Sequence, residues 1–290
     1  MARDLIEEKP EAARFLRDAE ARLNMPLRRL MVEGPKAELQ ATEHAQPAIL
    51  FHSLALLDQL QRRGVEPAAV AGHSLGEFAG LVAAGGLDPL DALAAVRARG
   101  QAMAAAAPSG SGMLAVLGLD DAAVEQACAE VKDVVPANYN APGQVVVSGS
   151  DEALAIVAPR LQQAGARRVI RLPVSAAFHS PLMEAAAGVF AQTWGTIPLR
   201  PLQRQQVFNA DAQVHDAVTE IRSLMVGQLT GPVRWTQSIQ RLRALGVDAF
   251  LEIGPGRSLT GLVKKIVPGA VLQNIEDVPS LNAFLQAAHA

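Results

Sequence analysis

Residues 112–174 read β-α-β-β-α-β, and no other feature of the chain constrains its fold as much. GMLAVLGL (112–119) reads as a strand, DDAAVEQACAEV (120–131) as a helix and DVVPANYN (133–140) as a strand. APG makes a turn into a further strand, QVVVSG (144–149). SDEALAIVAPRLQQAG (150–165) is a helix with Ser150 as its cap, and ARRVIRLPV (166–174) is the last strand. This is the ferredoxin-like order. On either side the chain alternates strand with helix, which predicts a parallel sheet covered on both faces. The expected fold class is α/β, with a large subdomain formed by 1–111 and 175–290 and a ferredoxin-like small subdomain inserted at 112–174.

The flanks supply the parts of the larger unit. Residues 3–24 carry helical periodicity through Leu5, Ile6, Ala12, Phe15, Leu16 and Leu23. PAILFHSLALLDQLQRR (47–63) reads as a buried helix with Pro47 near its first turn. PAAVAG (67–72) is a short apolar run suited to a buried parallel strand. EFAGLVAAGGL follows as a helix stopped by Gly85 and Gly86, and Asp88 caps the next helix. After the insertion come a turn and a helix, a strand and turn at VFNADAQVH (207–215), and a mostly helical stretch broken at Gly231-Pro232. The strand DAFLEIGPG (248–256) then leads into a helix from Ser258.

Composition removes several classes of function. Half of the 290 residues are apolar and 19% are charged, as in an ordinary globular protein. A net charge of -3 argues against nucleic acid as the main partner. The lone Cys128 cannot form an internal disulfide, fits a reducing compartment, and reads as packing. No Cys/His metal-ligand spacing occurs. The acidic amphipathic start is unlike a secretory signal, and no charge-free apolar window of about 18 residues is present, so no membrane span is expected. The expected address is the cytoplasm. EIGPGR offers Gly254 and Gly256 but lacks the third glycine of a dinucleotide loop.

The chemistry points to AGHSLGEFAG (71–80), where Ser74 lies between Gly72 and Gly76. A GxSxG pattern is weak alone. Here it follows a strand and opens a helix, the setting of a nucleophile elbow on a hydrolase-like parallel sheet. Glycines at 72 and 76 would let backbone segments approach closely. The helix beginning after Ser74 aims free N–H groups at a reacting carbon, with the N–H of Leu75 as the first oxyanion donor. A glycine turn with a solvated serine is the alternative. A serine needs a base. Of six histidines, His73 adjoins the serine and should diverge from it, and His52 sits in a buried helix. His44 and His215 lie in polar turns, and His289 is next to the C-terminus. His179, in VSAAFHSPLM, stands between a strand end and a helix start. Ser180 could instead cap that helix with His179 idle, and pattern alone leaves both readings open.

GHSLGE (72–77), RARGQAM (97–103), NYNAPGQVVVSG (138–149), AFHSPLM (177–183), QLTGPVRW (228–235) and EIGPG (252–256) resemble, in order, the malonyl-CoA:acyl carrier protein transacylases of fatty acid and polyketide synthesis. The resemblance covers nearly the whole chain. It implies ping-pong transfer of a malonyl group from malonyl-CoA to the phosphopantetheine thiol of an acyl carrier protein, through an ester on Ser74 with His179 as base. It further implies that a backbone carbonyl, at Gln228, orients the histidine. Arg99 would grip the malonyl carboxylate, and Phe178 would favour malonyl over a methyl-branched acyl group. Arg97 would snorkel from the helix, and Gln46, in HAQPAIL, matches a family position without a defined role. The implied enzyme needs no cofactor and no metal, binds neither nucleic acid nor membrane, and acts as a monomer. Carrier proteins are usually acidic, so Arg167, Arg168 and Arg171, or Lys264 and Lys265, are candidate docking cations or ordinary solvated surface.

One part of the family pattern is missing. Members open with a short strand and a glycine-glutamine-glycine loop whose glutamine supplies a second oxyanion contact, and Met1-Ala2-Arg3-Asp4-Leu5 aligns just after it. Losing one oxyanion donor typically costs about 2.7–4 kcal/mol of barrier. The expectation is a natural start upstream and an impaired 290-residue form. Two rival functions remain: a serine esterase or thioesterase using Asp248 and His289, and a non-catalytic relative that only docks a carrier protein.

Overall fold

In the computed structural model, which describes residues 1–174 and 176–288, the chain enters its large body through helices α1 (Arg3–Glu8), α2 (Pro10–Leu23), α3 (Leu27–Val32), α4 (Lys36–Gln40) and α5 (Thr42–Gln61). Strand β1 (Ala69–Ala71) and helices α6 (Gly76–Ala83) and α7 (Pro89–Ala105) follow. The insertion comprises β2 (Ser111–Leu117), α8 (Asp121–Ala129), β3 (Val134–Ala141), β4 (Gln144–Ser150), α9 (Asp151–Gln163) and β5 (Arg168–Arg171). The chain then returns through a 3-10 turn (Pro181–Met183), α10 (Glu184–Thr196), β6 (Gln205–Val207), α11 (Val218–Gly227) and α12 (Trp235–Ala244). It ends on β7 (Ala249–Ile253), α13 (Ser258–Ile266), β8 (Val271–Ile275) and α14 (Val278–Ala288).

The inserted strands form an antiparallel sheet in the order β3-β4-β2-β5. Alternation along β2 and β4 sends Leu114, Val116, Val145 and Val147 to one face, where they pack with Val124, Leu154, Val157 and Leu161 of the two helices. Met113 and Val146 point to the opposite face, toward Ala137, Val174 and Phe178. Local chemistry sets the helix starts. Asp120 accepts the N–H of Ala123, and Ser150 accepts that of Ala153. Asp88 does the same for Leu90 at the head of α7. Each such cap is worth about 1 kcal/mol. The sheet is moored to the large body where Tyr139 donates to the Val233 carbonyl (2.9 Å) and Val233 to that of Ala137 (2.8 Å).

In the large body, β1 pairs in parallel with β6, and β7 in parallel with β8, as two separate ladders instead of one continuous sheet. Apolar residues of α1, α2, α5, α6, α7 and α10 form one core around Phe51, Phe78, Phe190 and Trp194. Val207, Trp235, Ile239 and Val263 form a second core beside the strands.

Three local readings change. The helix expected over 3–24 is two helices, because Pro10 cannot continue α1 and instead opens α2. α5 begins at Thr42, so Pro47 lies inside it. Proline has no N–H for the Glu43 carbonyl one turn back, and Arg97 fills that place by donating to it at 2.7 Å. Arg97 is therefore a partner to α5 and does not snorkel to solvent. Helices α3, α4 and α14 and strand β8 carried no signal in the sequence reading. Ser175 and His289 lie outside the described residues.

Candidate active site

β1 ends at Ala71, and Gly72, His73 and Ser74 turn the chain into α6. Ser74 holds φ at 50°, in the left-handed region that costs a non-glycine residue of order 1–3 kcal/mol. The surroundings impose it. Asn209, just beyond β6, accepts the Ser74 N–H at 2.7 Å and donates to the Gly72 carbonyl at 2.7 Å. A Cβ on Gly72 would lie 1.9 Å from the carbonyl carbon of Gly76, so only glycine fits. A Cβ on Gly76 would meet nothing within 4 Å, so the close approach expected at both glycines is required at Gly72 alone.

His179 is also left-handed, with φ at 57°, and is buried. Its Nδ1 lies 2.8 Å from the Gln228 carbonyl. A carbonyl only accepts, so Nδ1 carries the proton and Nε2 presents a lone pair. Nε2 stands 2.8 Å from Ser74 Oγ, and the serine hydroxyl donates to it. Burial first, and Arg99 second, lower His179 to about 3. The imidazole is thus neutral at ordinary pH, the state a base requires. Ser180 donates to the Ala177 carbonyl at 2.6 Å and caps no helix.

Arg99 is 1% exposed on α7. The next residue, Gly100, lets α5 cross closely, since a Cβ there would come within 2.9 Å of Glu43 Cα. That crossing brings Gln46 to Arg99, whose Nη1 donates to Gln46 Oε1 at 2.7 Å. Nη2 donates to Gln228 Oε1 at 2.8 Å and to Ser74 Oγ at 3.0 Å. Burial lowers Arg99 to about 10, with Glu77 acting against the fall, so it remains a cation. Among the described residues no carboxylate pairs with it directly (Glu77 reaches it only through the Gln228 amide). A buried cation without a carboxylate partner is costly, and a carboxylate arriving beside Ser74 would relieve that cost.

The structure thus gathers Ser74, His179, Arg99 and Gln228 into one hydrogen-bonded cluster. The Leu75 N–H adjoins Ser74 and has no acceptor among the described residues. Phe178 lies beside the cluster, half-buried between the large core and the second face of the inserted sheet. His73 turns away and donates to Asn140 of the insertion at 2.8 Å. Asp248 is exposed, and its proposed companion His289 lies outside the described residues. Sequence reasoning missed Asn209 and gave Gln46 and Glu77 no role. A polar residue just past the C-terminal end of a parallel strand is the signal that could have flagged Asn209. Among the described residues no group of three or more His, Cys, Asp or Glu could hold a metal, and no helix is long and apolar enough to cross a membrane.

A hydroxyl on a strand-turn-helix elbow, a neutral imidazole to take its proton and a cation for an acid group together suit acyl transfer, and the α/β fold with its inserted sheet is that of an acyltransferase. The chain belongs to the acyl transferase domain family, whose pattern matches residues 1–281. It is 40% identical over 271 residues to a malonyl CoA-acyl carrier protein transacylase of Bacillus subtilis, covering 92% of this chain and 86% of that one. It is 38% identical over 291 residues to the protein so named in Escherichia coli K12, covering 99% and 94%. A malonyl-transacylase solved in complex with a type II PKS acyl-carrier protein superposes with a TM-score of 0.95 at 38% identity, covering 99% of this chain and 94% of that one.

Proposed function

We propose that the chain transfers a malonyl group from malonyl-CoA to the phosphopantetheine thiol of an acyl carrier protein by way of an ester on Ser74. The observation that carries this reading is the buried Arg99 guanidinium, 3.0 Å from Ser74 Oγ and without a direct carboxylate partner. A malonyl ester on Ser74 would supply that carboxylate, held through two parallel N–H donors.

Ser74 Oγ attacks the thioester carbonyl as its proton passes to His179 Nε2, and the Leu75 N–H stabilises the oxyanion. The tetrahedral species collapses, the C–S bond breaks, and the departing CoA sulfur takes the proton from His179. Arg99 disfavours the imidazolium, while the substrate carboxylate offsets the charge of Arg99. The carrier thiol then gives its proton to His179 and attacks the ester, and Ser74 leaves with that proton restored. General acid-base help of this kind contributes about 10²- to 10⁴-fold. The orienting group on His179 is a neutral carbonyl where a hydrolase triad has a carboxylate. The relative solved with a carrier protein supports the acceptor. The reading places the chain in the cytoplasm as a monomer without cofactor or metal, which sedimentation and metal analysis of the purified chain would check.

Intact mass after brief mixing with malonyl-CoA, beside a Ser74→Ala control, tests the scheme. A malonyl adduct that is absent from the control and is discharged by holo carrier protein is the expected result. Discharge to free malonate at the same rate without carrier would make the chain a hydrolase. Carrier binding with no adduct would make it a non-catalytic relative.

A further inference from the structure

We propose that Glu77 is a positioning residue of this site, a carboxylate that touches no substrate yet holds the elbow, the arginine and the base in register through Asn209 and Gln228. The inference rests on the acyl-transfer reading above and adds a residue to it.

Glu77 is the second residue of α6 and is 1% exposed. Its Oε1 accepts the backbone N–H of Asn209 at 2.6 Å, and its Oε2 accepts the side-chain amide of Gln228. Asn209 in turn holds both sides of the turn, the Ser74 N–H and the Gly72 carbonyl. Gln228 serves three further partners. Its Nε2 donates to the Ser74 carbonyl at 2.9 Å, its Oε1 accepts from Arg99, and its main-chain carbonyl accepts from His179.

A glutamine amide can be turned end for end, and its neighbours decide which end faces where. A carboxylate only accepts and a guanidinium only donates. Glu77 on one side and Arg99 on the other therefore admit one orientation, with NH2 toward Glu77 and the oxygen toward Arg99. Burial raises Glu77 to about 8, while the N–H donors of Asn209 and Gln228 and the charge of Arg99 act against the rise. Both oxygens face donors, which leaves no acceptor for an acid proton, and in the ionised form the amide dipole lies between anion and cation. A carboxamide at position 77 has one acceptor oxygen for two N–H donors. It must turn its own NH2 either to Asn209 N–H or to Gln228. In the second case Gln228 either faces it donor against donor or flips, which gives up the bond to the Ser74 carbonyl and presents NH2 to Arg99, and both displace the guanidinium or the elbow. A displacement of about 1 Å at a reacting group costs about 10²-fold in rate.

The test is Glu77→Gln in the full chain, with Glu77→Asp as a second variant that keeps the charge but is one methylene short of spanning both partners. The wild type is first assayed by rapid-quench intact mass for acylation of Ser74 by malonyl-CoA and by acetyl-CoA, and failure there would sink the acyl-transfer reading and not this one. In Glu77→Gln the malonyl rate should fall about 10²-fold and the malonyl-to-acetyl ratio about tenfold, because only malonyl has a carboxylate for Arg99 to hold. Glu77→Asp should lie between. A variant that is merely less well folded would lower both rates in proportion and leave the ratio unchanged. The Nδ1–H proton resonance of His179 gives a readout without turnover, expected in the wild type and weakened or lost in Glu77→Gln. If Glu77→Gln fails to fold, Glu77→Asp decides by the same ratio and resonance. An unchanged ratio with an unchanged resonance in a folded variant overturns the proposal.

Discussion

In the inserted subdomain Val116, Val145, Val147, Val157 and Leu161 are fully enclosed among other aliphatic side chains. Around Ser74 the residues enclosed to the same degree are Glu77, Arg99, Asn209 and Gln228. Burial alone therefore says little about what a region does. An apolar core tolerates any set of side chains of suitable volume and pattern. A buried polar cluster does not, because exchanging a donor for an acceptor there leaves the group it faced unmatched, with no water to turn to. The first region supplies cohesion and the second fixes Ser74, His179 and Arg99 in one hydrogen-bonded geometry, with two left-handed residues, Ser74 and His179, that cohesion elsewhere must sustain.

Substitutions can break this contrast. The largest effect is expected from Ser74→Ala, which should abolish the malonyl adduct while costing at most about 1–3 kcal/mol of stability, because His179 Nε2 loses its donor. An adduct that persists would place the nucleophile elsewhere. Arg99→Ala should slow acylation by malonyl-CoA about 10²- to 10⁴-fold, at about 1.5–3 kcal/mol for each charged hydrogen bond lost. Acylation by acetyl-CoA should fall far less, and an equal fall in both would deny Arg99 its carboxylate.

Leu161→Ala, in the insertion, should show the opposite profile. Denaturant unfolding should report a loss of about 2–5 kcal/mol, with the acylation rate per folded molecule unchanged. A rate that tracks the stability would mean that the insertion strains the site through Asn140 and His73. Ser150→Ala removes one cap and should cost about 1 kcal/mol in the same measurement.

The smallest expected effect is that of pH. Burial and Arg99 lower His179 to about 3, so the free base persists as acid is added and the acid limb moves down, not up. His179 should therefore add no limb to single-turnover acylation between about pH 8 and about pH 5. A limb there that Glu77→Gln removes reports Glu77, which burial raises to about 8, and one near the ordinary histidine value of about 6.5 that survives it would show that His179 is less enclosed than the structure has it.

Much of this was legible in the residues themselves. The insertion could be read almost strand by strand because alternation, turns and caps such as Ser150 and Asp120 are local signals. The elbow could be read because a strand, a glycine-bounded serine and a helix succeed one another within a dozen residues. The resemblance implied His179, Arg99 and Gln228, residues that no periodicity singles out. The break before Pro10 was visible in principle, while the start of α5 at Thr42 was masked by Pro47, whose missing N–H is compensated by Arg97 from a different helix.

The sequence by itself determined the order of elements, the inserted sheet and the serine turn, because each depends on residues a few positions apart. Only the tertiary structure decided which nitrogen of His179 faces Ser74, that Gln46 rather than a carboxylate meets Arg99, and that Glu77 and Asn209 brace the turn. Those contacts join residues 53 to 137 positions apart. Hydrogen bonds of that span leave no period in the chain, since their partners become neighbours only after the helices and strands have packed.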